Sequence, residues 1–152
     1  MSPTVPPSSW QPLLAGADAD RFRPVVHEIA AVLRPGAGRP APGRGVRDAF
    51  NLAGGEAGQA IFFTYLDLAE PGQGHGDVAV ELLELAIDGM GALAAGPALY
   101  GGFSGVAWAM EHLQNRLLDG GGEDPGEEVA RELASSLAPA PGRRVYDLIG
   151  GL

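Results

Sequence analysis

One short phrase recurs three times along this chain and limits what it can fold into. It reads Leu52-Ala53-Gly54-Gly55, then Leu99-Tyr100-Gly101-Gly102, then Leu148-Ile149-Gly150-Gly151. The first two copies continue alike, through Gly58 in one and Gly105 in the other. Successive copies stand 47 and 49 residues apart. A period of that size belongs to stacked supersecondary units, each too small to bury its apolar face alone.

Hydrophobic spacing says what the units are made of. Val25, Ile29, Val32 and Leu33 recur at helical intervals and predict a helix from about Pro24 to Leu33, stopped by Pro35. A second helix is expected from just after Gly54 to about Leu68. It opens on Ala60-Ile61-Phe62-Phe63, apolar on every side, so it must be surrounded. A third, from about Asp77 to Met90, gathers Glu81, Glu84 and Asp88 on one face and reads as an outer helix. The pattern then repeats. Gly105 to Met110 is apolar all round, and polar residues return at Glu111 and His112. Asp124-Pro125-Gly126-Glu127 has the form of a capping box before a last helix carrying Val129, Leu133 and Leu137. No strand-like alternation appears. Inner helices that open on the double glycine therefore alternate with outer helices that return the chain. Residues 1–20, rich in Pro, Ser, Ala and Asp, read as a flexible leader, and residues 21–152 as the helical domain.

Glycine in a helix is disfavoured by about 0.5–1 kcal/mol relative to alanine. Its retention at matched positions implies a packing or turn requirement of at least that size. Gly54 and Gly58, like Gly101 and Gly105, are four apart and would make a flat strip for close backbone approach. The paired glycines could also supply a positive φ at the turn into each helix.

Composition removes several functions. Net charge is −9, with ten arginines and no lysine, so neither a nucleic-acid footprint nor a polybasic membrane patch is present. No apolar stretch reaches the ~20 residues of a membrane span. The absence of cysteine rules out disulfides and thiolate metal sites within this sequence and fits a cytoplasmic protein. His27, His75 and His112 are too scattered for a recognised metal motif. His75, in Gln73-Gly74-His75-Gly76, reads as a loop residue, and His27 and His112 as helix-surface or boundary residues. Phe62 and Trp108 are expected in the core of the inner helices. The double-glycine phrase follows no strand and lacks the Gly-Lys-Ser/Thr of a phosphate-binding loop.

The phrase Leu99-Tyr100-Gly101-Gly102-Phe103-Ser104-Gly105-Val106-Ala107-Trp108-Ala109 resembles the second inner-helix signature of lanthionine synthetase C-like (LanC-like) proteins. Tyr146-Asp147-Leu148-Ile149-Gly150-Gly151 looks like the opening of that family's third repeat, and Asn51-Leu52-Ala53-Gly54-Gly55-Glu56-Ala57-Gly58 like its first. The resemblance implies an all-α fold: the first two to three helical-hairpin repeats of an α/α toroid with seven inner and seven outer helices. It also implies that the parent protein closes thioether rings by adding cysteine thiols to dehydroalanine or dehydrobutyrine in a lanthipeptide precursor. The family's zinc ion, held by two cysteines and a histidine, belongs to later repeats, so no cofactor is expected in this chain. The family's active-site acid in the Tyr-Asp phrase falls on Asp147, which could equally be a helix cap. A partial ring would also leave apolar edges through which copies self-associate. Two other readings remain open at this level: another α/α toroid enzyme such as a glycoside hydrolase, which needs two placed carboxylates, and a helical-repeat peptide-binding module without chemistry.

Overall fold

A computed structural model of the chain describes residues 14–36, 49–92, 96–114 and Arg131. Among these the secondary structure is entirely helical, and no helix is long and apolar enough to cross a membrane. The chain divides into two units, Met1–Arg34 and Pro35–Leu152.

The first unit contributes α1, Ala17–Leu33. It begins seven residues before Pro24, the expected start, and inside the segment read as leader. Gly16 explains the early start. Its φ of 57° lies in the left-handed region that glycine enters without a Cβ clash, and Asp18 and Asp20 sit in the first turn, where carboxylates suit the helix dipole. Pro24 therefore lies inside the helix. Ala30 is buried, whereas Phe22, Val25, Ile29 and Val32 are exposed.

In the second unit, α2 (Glu56–Ala69), α3 (His75–Ala92) and α4 (Phe103–Leu113) match the expected order of helices. The turn between α2 and α3 is tight. Gly72 and Gly74 adopt φ of 80° and 73°, values that a side chain would resist. Asp67, near the end of α2, reaches across this turn and accepts a hydrogen bond from the Gly76 N–H at 3.0 Å, supplying a cap to the first turn of α3.

Packing is most extensive between α2 and α3, and each of them also meets α4. On α3, Glu81, Glu84 and Asp88 are exposed while Leu82, Leu83 and Ala86 are buried, as the sequence pattern requires of an outer helix. On α4, Val106, Ala109 and Leu113 are fully buried. Phe63 of α2 is the largest fully buried side chain among the described residues. Small residues set the helix separations: Ala57, Ala86 and Ala109, one from each helix, join Phe50 and Val106 in a single apolar cluster. Phe50 lies over Gly89 of α3, where a Cβ would come within 3.1 Å of the Phe50 Cβ.

The candidate site at the paired glycine turns

The two described copies of the repeated phrase build the same turn from the same register. The Glu56 N–H donates to the Ala49 carbonyl at 2.6 Å, and 47 residues on the Phe103 N–H donates to the Gly96 carbonyl at 2.9 Å. Gly55 and Gly102 are the residues preceding α2 and α4, both with extended backbone. A Cβ on Gly55 would strike the Ala49 carbonyl oxygen and lie 2.7 Å from that of Asn51; on Gly102 it would strike the Gly96 oxygen and lie 2.7 Å from that of Ala98. Gly58 and Gly105 are pressed in the same way against the carbonyl oxygens of Leu52 and Leu99.

This corrects the reason for the glycines. Neither Gly55 (φ −86°) nor Gly102 (φ −129°) needs positive φ. What excludes a side chain is the loop folding back on the first turn of its own helix, carbonyl oxygens foremost. The strip of small residues is partly an interface as well, since Leu52 of the first turn lies over Gly105 of the second, where a Cβ would be 2.8 Å from that of Leu52.

Not every glycine of the phrase has this duty. Gly54 takes part through its backbone, its N–H donating to the Asn51 Oδ1 and its carbonyl accepting from Gln59 Nε2. Gly101 is exposed with nothing within 4 Å of a hypothetical Cβ. Asp147, Gly150 and Gly151 lie outside the described residues, as does the expected capping box at Asp124.

The copies differ in how the turn is tied. In the first, Asn51 is buried, and its Oδ1 accepts from the N–H groups of Gly54 (3.2 Å) and Gly55 (3.1 Å). These are N–H groups that no helix carbonyl can satisfy. In the second, Ala98 takes that register position, and the Ser104 hydroxyl instead donates to the Pro97 carbonyl at 2.7 Å. The Gly55 N–H also donates to the Asn51 backbone carbonyl at 3.0 Å, so replacing Asn51 by alanine strips its partner only from the half-buried Gly54 N–H and should lower stability by about 1 kcal/mol. Ala98→Ser should change stability far less; urea denaturation of the two variants checks the contrast.

The turns lie side by side. The Ala53 N–H donates to the Tyr100 carbonyl at 3.2 Å, and these residues are again 47 apart. Near the opposite helix ends, Tyr65 Oη and His112 Nε2 are 2.9 Å apart in a hydrogen bond, and they too are 47 apart. Equivalent residues thus meet at both ends of α2 and α4. The two helices run parallel, with α3 as the returning limb.

Two expected core positions and one loop position need correction. Trp108 is 48% exposed, because it projects from α4 to stack on His112, with centroids 4.8 Å apart and planes within 11°. Phe62 is only partly buried, edge-on to Phe63. His75 is not a loop residue. It opens α3, is buried, and lies against the Phe63 ring at 6.1 Å. His27 is exposed on α1, as expected of a helix-surface residue. The Tyr65–His112 pair escaped sequence reading, although the glycine register, carried one helix further, points to it.

No family model, curated protein or solved structure matches this chain.

Proposed function

We propose that this chain is the N-terminal portion of a LanC-like cyclase, built as the opening repeats of an α/α toroid. In its complete form that enzyme would add cysteine thiols to dehydroalanine or dehydrobutyrine in a precursor peptide. The observation that supports this reading best is the parallel placement of α2 and α4 with like residues in contact at both ends. Such an operation, repeated, places every inner helix beside the next with its glycine turn at the same end. A toroid needs that arrangement, and so would an open helical-repeat module. The Tyr-Asp-x-Ile-x-Gly-like opening at Tyr146 and Asp147 is what favours the cyclase over the module.

Asp147 carries the catalytic assignment in this proposal. It shares its register with Asn51, three residues before the double glycine. The family's zinc, when bound, stabilises the attacking thiolate. This sequence has no cysteine to hold it, so the residues present do not fit the ion and no step through it is assigned to them. The part left to this chain is to shape one wall of the peptide-binding ring, in a cytoplasmic protein. Copies of the chain would associate through unfilled ring edges.

The coding region beyond Leu152 tests the reading. Further double-glycine repeats bearing a cysteine, then a Cys-His pair, are expected. Further repeats with a carboxylate pair and no cysteine would transfer the proposal to an α/α toroid hydrolase.

A further inference from the structure

Residues 49–114 contain eight carboxylates and not one lysine or arginine; all ten basic residues lie elsewhere in the sequence. Within that acidic span, α2 and α4 expose an organised aromatic group. Tyr65 and Trp108 are 45% and 48% exposed, and His112 ties them together, stacked on Trp108 and hydrogen-bonded to Tyr65. The rings are held in place by each other and by two helices. A ligand that stacks on them therefore meets a surface with little rotamer freedom left to lose.

Three further features give this surface one sign. His112 stands in the last turn of α4, where the helix dipole is negative, while Trp108 lies mid-helix and Tyr65 one turn before the end of α2. Glu111, exposed, follows Trp108 by three residues and so occupies the adjoining helix face. The faces of indole and phenol rings are themselves electron-rich. A cation is the chemical complement of all three. Guanidinium suits the rings better than ammonium, because it is planar, stacks, and gives up its hydration more readily.

We propose that Tyr65, Trp108 and His112 form a docking site for an arginine side chain of a peptide partner. The word peptide rests on the proposed function; the preference for arginine rests on the charge and the rings.

The test uses the full chain carrying Trp10→Phe, which leaves Trp108 as the sole indole. Its fluorescence is followed while a Gly-Arg-Gly-Arg-Gly peptide is added at low salt, with Lys and Gln versions in parallel. A saturable change with the Arg peptide is expected, with the Lys peptide about tenfold weaker. The Gln peptide should give none, and added salt should weaken binding. By calorimetry, Trp108→Leu should abolish binding and Glu111→Gln should weaken it. Trp108 is half exposed, so far-ultraviolet dichroism should show unchanged helix content in Trp108→Leu; if it does not, Tyr65→Phe serves as the second variant, with weakened binding expected. An equal response to the Gln peptide, or no saturable response to the Arg peptide, overturns the proposal. So does a finding that the Arg peptide binds only after Arg39, Arg44 and Arg47 are changed to Gln, for then the occupant is the chain itself. Binding needs neither zinc nor a dehydrated residue. Failure here would leave the cyclase reading standing, and failure of that reading would leave this result interpretable.

Discussion

Gly105→Ala should unfold this protein at markedly lower urea than the parent, while Gly101→Ala, four residues earlier in the same phrase, should be nearly silent. A Cβ at position 105 would be driven into the Leu99 carbonyl oxygen and brought to 2.8 Å from the Leu52 Cβ. The oxygen is backbone and cannot swing aside as a flexible side-chain tip would. Relief requires either the loop before α4 to lift off the helix or the first turn to withdraw from the second. Overpacking of this kind costs typically 1–3 kcal/mol, occasionally more, and alanine's better helix propensity returns about 1 kcal/mol at most. A net loss of about 1–2 kcal/mol is expected, read as a lower urea midpoint at unchanged slope. At Gly101 there is nothing within 4 Å of the added methyl, and the backbone is outside the left-handed region, so the change should stay within about 0.5 kcal/mol. Equal effects at the two positions would refute the account of why the phrase retains glycine. Gly102→Ala should resemble Gly105→Ala, since its Cβ would strike the Gly96 carbonyl.

Phe63→Ala should be the most damaging single truncation among the described residues. Phe63 is completely buried on α2, edge-on to Phe62 and beside the buried His75 that opens α3. Its loss opens a cavity where the most extensive helix pair of the second unit meets. Phenylalanine-to-alanine changes in such sites cost about 3–5 kcal/mol, a large share of the 5–15 kcal/mol that holds an ordinary domain together. The variant should show a greatly lowered thermal midpoint or lose cooperative unfolding altogether. Phe22→Ala, at a position 48% exposed on α1, is the counterpart of equal chemistry and should cost far less. Comparable losses at the two sites would mean that burial does not rank these side chains.

The two predictions concern different links between sequence and structure. The glycine substitutions test a local device, a loop laid against the first turn of its own helix and used twice at one register. The phenylalanine substitution tests the packing between neighbouring helices. The exposed Tyr65–Trp108–His112 group stands apart from both. Its residues contribute modestly to the core, so changes there can be read as changes in binding.

By itself the sequence determined the helical class, the order of the helices in the second unit and the 47-residue register. Those are written in local terms: apolar residues at helical spacing, carboxylates gathered on the outer face of α3, and glycine repeated where a side chain would not fit. It also placed the boundaries of α2 and α3 within two residues. It did not place the start of α1, because Gly16 and the acidic first turn outweigh the proline that seemed to mark it. Only the tertiary structure decided why the glycines are there, since the atoms they avoid, the carbonyls of Ala49, Gly96 and Leu99, belong to the loops before α2 and α4, whose paths no periodicity encodes. It alone decided that Trp108 turns outward to His112 while His75 turns inward to Phe63. An aromatic ring's burial depends on what other helices bring alongside it, and that is information held between segments rather than within one.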